Sequence, residues 1–534
     1  MLSAGYTQMA SINRTTYPRF KDLLSEQELE ELFQPTNKEL RFVRRRAETD
    51  DGRLTLLVLL KCHQYLGYLP PLAKIPRRLS CYLCKKIRLP DTTRLRSGNW
   101  IVRHRYRKAI HAYLGIRSYS QGGREVATET IRSAAHIMSD PADLINAAVE
   151  RLIQQRFELP AYSALDRLAS RLRKEIHEEL YASVTATLSP DDASRLDALL
   201  TVRPSETRAD FNRLTEQPGR PTLSQMRRWV EHLNWLDSLL NVDTATLLGD
   251  VAHTKRRQFA AEARALELGD MRDTHNVPKR HTLLVSLVHQ ARAKTRDDLV
   301  TMFLKRMRRI QKTAEKKLVD LRDEQRDLEE QMSKGFAQVI GLTIDHTIDA
   351  DLGGHVRSLV DDLGDPDELL EKFRQAEAYH DNNHLPLLWG VYRTHRPALL
   401  RLVQLLRVES ATQDAALVQA LDTVLSNQGM HRNHLPGDVD LGFIGERSQQ
   451  WKDLIEDQVE AETVLNRRHL EVCVLSHIAY GLRGGDLYVP GSEAFADYRE
   501  QLLPWSDCEE RLAAYGEAMD CLLYTSPSPR DQRP

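Results

Sequence analysis

Apolar residues recur at three- and four-residue spacing along most of the chain, which predicts helices rather than strands. Ser25-Glu26-Gln27-Glu28 has the form of a capping box, with Leu29, Leu32 and Phe33 as the apolar stripe behind it. Thr36-Asn37-Lys38-Glu39 is a second box and opens a helix that ends in Arg44-Arg45-Arg46. Cations suit the negative end of a helix dipole, so those arginines need no external partner. Residues 54–66 form a strongly apolar helix closed by Gly67, the residue that best tolerates a left-handed cap. Pro70-Pro71 breaks the chain, and Pro76 fits the first turn of a helix over residues 77–87. After Trp100, a buried stripe is expected from Val102, Tyr106, Ala109, Ile110 and Tyr113. Arg103, His104, Arg107, Lys108 and His111 fall opposite it, and Gly115 closes the helix.

Further helices are expected from Asp140-Pro141, over residues 165–176, and from Ser189-Pro190. Gln217-Pro218-Gly219-Arg220-Pro221 reads as a linker. Leu299, Phe303, Met307, Ile310, Ala314, Leu318, Leu321, Leu328 and Met332 predict one long helix over residues 297–332. A stripe of that length has to be covered by another helix, from the same chain or a second one. Helices are also expected over residues 366–379, 396–408 and 415–425. Leu487-Tyr488-Val489, between Gly485 and Gly491, is the one good strand signal. The fold class is therefore all-α, mainly helical and multidomain.

Charge adds direction to this picture. The whole chain has a net charge of only -1, but residues 1–120 hold 23 basic and 10 acidic residues, against 18 and 37 in residues 321–520. Residues 53–120 carry 15 Lys or Arg and a single acid, Asp91. The clusters are Lys74, Arg77 and Arg78; Lys85, Lys86 and Arg88; Arg94 and Arg96; Arg103, Arg105, Arg107 and Lys108, with Arg117 beyond. Tyr65, Tyr68, Tyr82, Trp100, Tyr106 and Tyr113 are interleaved with them. So one-sided a surface repels itself unless a polyanion neutralises it, and double-stranded DNA is the usual partner. Residues 251–320 form a second basic region, with clusters at Lys255-Arg256-Arg257 and Lys279-Arg280. Two other readings stay open: a solvated face, and a non-enzymatic scaffold whose basic front docks on an acidic protein surface.

Candidate chemistry is sparse. Cys81 and Cys84 form a lone Cys-x-x-Cys, and zinc needs two further ligands. His380 and His384 lack the glutamate of a metalloprotease helix, and Asp345, Asp349 and Asp351 lack an EF-hand pattern. There is no phosphate-binding loop, nucleophile elbow or dinucleotide fingerprint, so no catalytic or metal-binding residue is assigned and no cofactor is expected. Six cysteines give no disulfide framework, and there is no apolar run of signal-peptide or membrane-spanning length. A cytoplasmic, nucleoid-associated location is the expectation.

Several short motifs carry a resemblance. They are Tyr65-Leu66-Gly67-Tyr68-Leu69-Pro70, Ile75-Pro76, Arg103-His104-Arg105 before Ile110, Leu114-Gly115, and Glu158-Leu159-Pro160-Ala161-Tyr162. Arg467-Arg468-His469-Leu470-Glu471 and residues 482–492 follow in the same order. In order and spacing the chain resembles the large replicative transposases of class II bacterial transposons, the Tn-three family, from about residue 14 to residue 519.

The resemblance implies recognition of terminal inverted repeats for DNA transposition. It also implies a homodimer in the full-length protein, and an Asp-Asp-Glu catalytic domain with divalent metal, magnesium, beyond the matched region. No catalytic residue of that domain falls on this chain, so the fragment is expected to be inactive by itself or to act as a truncated regulator. Residues 521–531 look like the translation of a transposase-made sequencing-library adapter and are set apart from the fold. The expected organisation is a DNA-binding domain over 1–178, a second DNA-binding region over 179–295, a long-helix dimerisation region over 296–430, the start of a linker or scaffold region over 431–520, and the adapter-like tail over 521–534. The DNA-contacting residues expected are Arg77, Arg78, Lys85, Lys86, Arg88, Arg94, Arg96, Arg103, Arg105, Arg107, Lys108, Arg117, Lys255, Arg256, Arg257, Lys279 and Arg280.

Overall fold

In a computed structural model, the structure describes residues 12–21, 23–90, 92–96, 100–202, 207–344, 351–370, 383–412, 415–429, 433–436, 439–445, 448–459 and 462–509. Helices dominate throughout, as their periodicity requires. The chain divides into two compact units. One holds residues 1–212 and 240–289; the other holds residues 213–239 and 290–534.

The first unit opens with α1 (Glu26–Phe33) and α2 (Asn37–Arg46), and both capping boxes form. In α1 the Glu28 N–H donates to Ser25 Oγ at 3.1 Å, while Ser25 N–H donates to Glu28 Oε2 at 3.0 Å. Helix α3 (Asp50–Leu66) is the centre of this part. Leu54 through His63 are all buried, so it is covered on every side rather than along one stripe. Its left-handed cap is Gly67, at φ 73°, whose N–H donates to the His63 carbonyl. Helices α4 (Arg77–Lys86) and α5 (Trp100–Leu114) lay Leu79, Leu83, Tyr106 and Ile110 onto the same apolar cluster.

Glu39 does more than cap α2. Its carboxylate also lies 2.9 Å from Lys61 Nζ and accepts from Gln64 at 2.7 Å, with both charged side chains buried. Burial alone would raise its pKa. Bonds from Thr36 N–H, Lys61 and Gln64 outweigh that and hold the carboxyl below its ordinary value.

Helices α6 (Arg124–Ala135), α7 (Pro141–Gln154) and α8 (Tyr162–Thr187) pack on one another. The Asp140 and Ser189 caps expected from sequence form, with Pro141 and Pro190 in the first turns of α7 and α9 (Pro190–Ala198).

The segment after α7 ties this unit together. Glu158 N–H donates to the Arg117 carbonyl and Leu159 N–H to the Gly67 carbonyl, both at 2.9 Å. A Cβ on Gly67 would lie 3.2 Å from Leu159 Cδ1, so close approach as well as backbone conformation selects glycine there. Tyr17 Oη donates to the Pro160 carbonyl at 2.7 Å. The motifs at residues 65–70 and 158–162, ninety positions apart, are thus the two sides of one packed junction.

The long helix is longer than its stripe suggests, running over Val277–Ile344. Asn276 Oδ1 accepts from Lys279 N–H at its start. Thr282 through Val288 are all buried, so this first stretch shows no amphipathic contrast and the 3.6-residue pattern does not reveal it. Beyond residue 332 the exposed Phe336, Ile340 and Ile344 continue at four-residue spacing.

In the second unit, helices Arg396–Leu406 and Ala416–Ser426 stand where the pattern puts them, within two residues. The strand signal at residue 487 is also met: Leu487–Tyr488 pairs antiparallel with Glu409–Ser410. A three-stranded antiparallel sheet is additional. Its centre is Glu462–Asn466, between His434–Pro436 and Glu456–Val459. Its short strands are rich in Glu, Asp, Gln and Asn, so they lack the β-branched alternation that signals a strand.

Buried Glu471 accepts from Tyr392 Oη at 2.6 Å and from Arg396 Nε at 2.7 Å. Residues 371–379 of the helix expected over 366–379, His380, Asp345, Asp349 and residues 521–534 lie outside the described residues. His384 is the cap of Leu385–Tyr392, and Asp351 the cap of Leu352–Leu363. Among the described residues no helix is long and apolar enough to cross a membrane.

Candidate nucleic-acid interface

The front cations divide into free and engaged groups. Arg77, Arg78, Lys85, Arg88, Arg103, Arg105 and Lys108 are exposed and form no ion pair among the described residues. They stand on α4, just beyond it, and on α5. Arg105 lies 5.8 Å from the Tyr106 ring. An open groove of about 370 Å³ runs along α4, walled by Arg77, Lys85 and Arg94 and floored by Leu54, Ile75 and Cys84.

The other expected residues are exposed but occupied. Arg96 pairs with Asp51 at 2.9 Å and Lys86 with Glu30 at 3.4 Å. Arg94 donates to the Thr93 carbonyl, and its own N–H goes to Asp51. Arg117 stacks 3.9 Å over Phe157 and donates to the Gln155 carbonyl. Arg107 is bound to the buried carboxylate of Glu158 through both Nε and Nη2. The exposed Arg96 and Lys86 pairs are weak enough to exchange for a phosphate.

On α5 the expected division of faces needs two corrections. Tyr106 and Ile110 are buried, but Tyr113 is exposed, with its ring stacked on Phe42 at 4.4 Å. His111 does not belong to the outer face. Its side chain is nearly buried beside Glu158, because the segment after α7 covers that edge of the helix.

The second basic cluster behaves differently. Lys255 is fully buried, so it is set aside from any external face. It stands on helix His253–Ala265, where Lys255, Phe259 and Ala263 recur every four residues and form the inward stripe. Three consecutive cations on a helix cannot share one face, and the spacing to Phe259 is the signal that marks Lys255 as internal.

Its ammonium donates to Ser139 Oγ and, at 2.9 Å, to Nε2 of His177, which can accept only as neutral imidazole. Burial, then Arg173, pushes Lys255 down to about 8. Burial, then the Lys255 charge, pushes His177 down to about 3. Arg256 donates to the Val251 carbonyl, Lys279 pairs with Glu262 at 2.7 Å and Arg280 with Asp197 at 3.1 Å. Of the five cations named in this cluster only Arg257 is exposed, and it too has a partner.

A stability test follows from His177. Below about pH 6.5 the unfolded chain takes up a proton there that the native state refuses until about 3. Its contribution is therefore complete above 6.5 and is lost as pH falls. Urea denaturation at pH 7, 6, 5 and 4 should show a smaller acid loss in His177→Gln, by up to one proton's worth of slope. Parallel curves for the two proteins would refute it.

Two cationic surfaces escaped the sequence reading. Arg124, Arg167 and Arg171 converge on a second open groove of about 370 Å³ with Tyr119. Only the four-residue spacing of the last two was visible beforehand. In the second unit the long helix exposes Lys305, Arg308, Arg309, Lys312, Lys316 and Lys317. Their three- and four-residue intervals were a signal, hidden because the chain is basic over a wide region around them.

Comparison sets a class beside this architecture: a mainly helical protein with a basic front unit, similar in sequence to part of several transposases. Residues 9–172 match the family model described as a domain of unknown function, DUF4158. The chain is 24% identical over 477 residues to the transposase for transposon Tn501 of Pseudomonas aeruginosa, covering 88% of this chain and 46% of that protein. It is 22% identical to the transposase for transposon Tn3926 and 21% identical to that for Tn21, both of Escherichia coli, covering 39% and 40% of those proteins. These relatives are transposases of the Tn-three family, and the chain spans less than half of their length.

Proposed function

We propose that this chain is the DNA-binding part of a replicative transposase and recognises the terminal inverted repeats of its transposon. One observation carries the reading: the free cations of α4 and α5 gather on two helices of one packed unit, beside a groove walled by cations. Guanidinium and ammonium groups without internal partners are ready to replace the counterions of a phosphate backbone. The engaged cations, Arg96 and Lys86 among them, are a reserve that an approaching phosphate can recruit.

The cation row on the long helix offers a further phosphate track. For catalysis the reading looks to an Asp-Asp-Glu domain with magnesium, and it assigns no catalytic residue among those of this chain. The test is a gel-shift series with inverted-repeat DNA across salt. If about 6–10 phosphates are neutralised, affinity should fall about 10³–10⁵-fold between 50 and 200 mM salt. A salt-independent interaction, or strand-transfer products formed by this chain with magnesium, would overturn the reading.

The exposed Phe336, Ile340 and Ile344 support self-association through the end of the long helix. Phe336→Asp with Ile340→Asp should lower the apparent mass in sedimentation equilibrium. An unchanged mass would remove that stripe from the interface.

A further inference from the structure

We infer that His63, His111 and Glu158 form a binding site for a divalent transition metal, with zinc as the best-suited ion. Among the described residues this is the only group of three or more His, Cys, Asp or Glu whose ligand atoms all lie within 4.8 Å of one another. Each comes from a different element: His63 from α3, His111 from α5, and Glu158 from the segment after α7.

The state of His63 points to a missing ligand. The side chain is 1% exposed, and neither Nδ1 nor Nε2 has a hydrogen-bond partner. Buried polar atoms are nearly always satisfied, so an imidazole with both nitrogens idle needs an explanation. Nε2 of His111, 3.5 Å from Glu158 Oε2, also makes no hydrogen bond. The two rings lie edge to face, 5.4 Å apart. Two imidazoles and a carboxylate are the donor set of many zinc centres, with a fourth position left to water.

The geometry needs only a modest closure. Zinc at its usual bond lengths holds tetrahedral donor atoms about 3.3 Å apart, so the side chains have to draw in by roughly an ångström or so each. Glu158 offers a well-held anchor, since its N–H bonds to the Arg117 carbonyl and its neighbour Leu159 bonds to the Gly67 carbonyl.

Arg107 is the competitor. Its guanidinium occupies Glu158 Oε2, but its side chain is 44% exposed and has room to swing outward. An incoming dication and Arg107 repel one another and share one carboxylate, so binding of the metal loosens the arginine. The ion would staple α3, α5 and the post-α7 segment at the junction where the two family-like motifs meet. The inference does not rest on DNA binding.

The test uses the full, untagged chain, treated with chelator and titrated with cobalt(II) chloride, whose visible d–d bands report tetrahedral coordination. One equivalent should bind with such bands, and His111→Ala should weaken binding at least tenfold. Arg107→Ala should tighten it by removing the competing cation. Circular dichroism checks that each variant is folded. Absence of the bands, or equal affinity in His111→Ala and the parent chain, overturns the site. Should His111→Ala fail to fold, the half-exposed Arg107 decides: tighter cobalt binding in Arg107→Ala supports the site and unchanged binding refutes it.

Discussion

Arg103→Ala combined with Lys108→Ala should weaken binding to inverted-repeat DNA by at least about tenfold at low salt and reduce the salt slope by about two. Both residues lie on the outer side of α5 and make no internal ion pair among the described residues, so the folded chain loses no bond with them. The loss should be similar on repeat and random DNA if both contact phosphates, and larger on the repeat if one reads a base edge.

Arg107→Ala is the informative contrast. Arg107 neutralises the buried Glu158 carboxylate, so its removal should lower stability as well as affinity. A gel-shift series with each protein, alongside urea denaturation, separates these outcomes. Unchanged affinity and slope in the double variant would remove α5 from the interface.

The largest effect on stability is expected at Glu39 and Lys61. Glu39→Ala should cost roughly 3–5 kcal/mol, because it leaves the Lys61 ammonium buried without its counter-charge. It also removes one half of the α2 capping box, worth about 1 kcal/mol. Replacing both, as Glu39→Leu with Lys61→Met, should recover most of the first loss, since an apolar pair needs no desolvation of charge. The cap loss would remain.

The pair also predicts acid sensitivity. Glu39 is held below its ordinary pKa, so its stabilisation is complete above the unfolded carboxylate range and is lost as pH falls through the folded value. Urea denaturation of the single and double variants checks all of this. A double variant as unstable as Glu39→Ala would show that the charge pair is not the cause.

Much of the architecture was legible beforehand because its causes are local. A capping box spans four residues, a helix stripe repeats within four, and a left-handed cap needs one glycine. Ser25, Thr36, Asp140, Ser189 and Gly67 therefore perform the roles their positions suggest. The buried start of the long helix and the polar three-stranded sheet were not legible, since neither shows a contrast between faces.

The candidate interface was readable only in outline. Charge density located the basic front, yet it could not separate Lys108, exposed and free, from Lys255, buried at the centre of a helix packing. Nor could it show that Glu39 serves both as a cap and as the partner of Lys61.

The sequence by itself determined the helical class, most helix ends, the basic front and the family resemblance. Each depends on neighbours within a few positions, or on motifs kept in order along the chain. Only the tertiary structure decided which charges are available. Arg107 meets Glu158 across 51 positions and Lys255 meets His177 across 78. The same packing brings His63, His111 and Glu158 together at one point. Burial and pairing are set by whatever residue the fold lays alongside, and no local pattern encodes that neighbour.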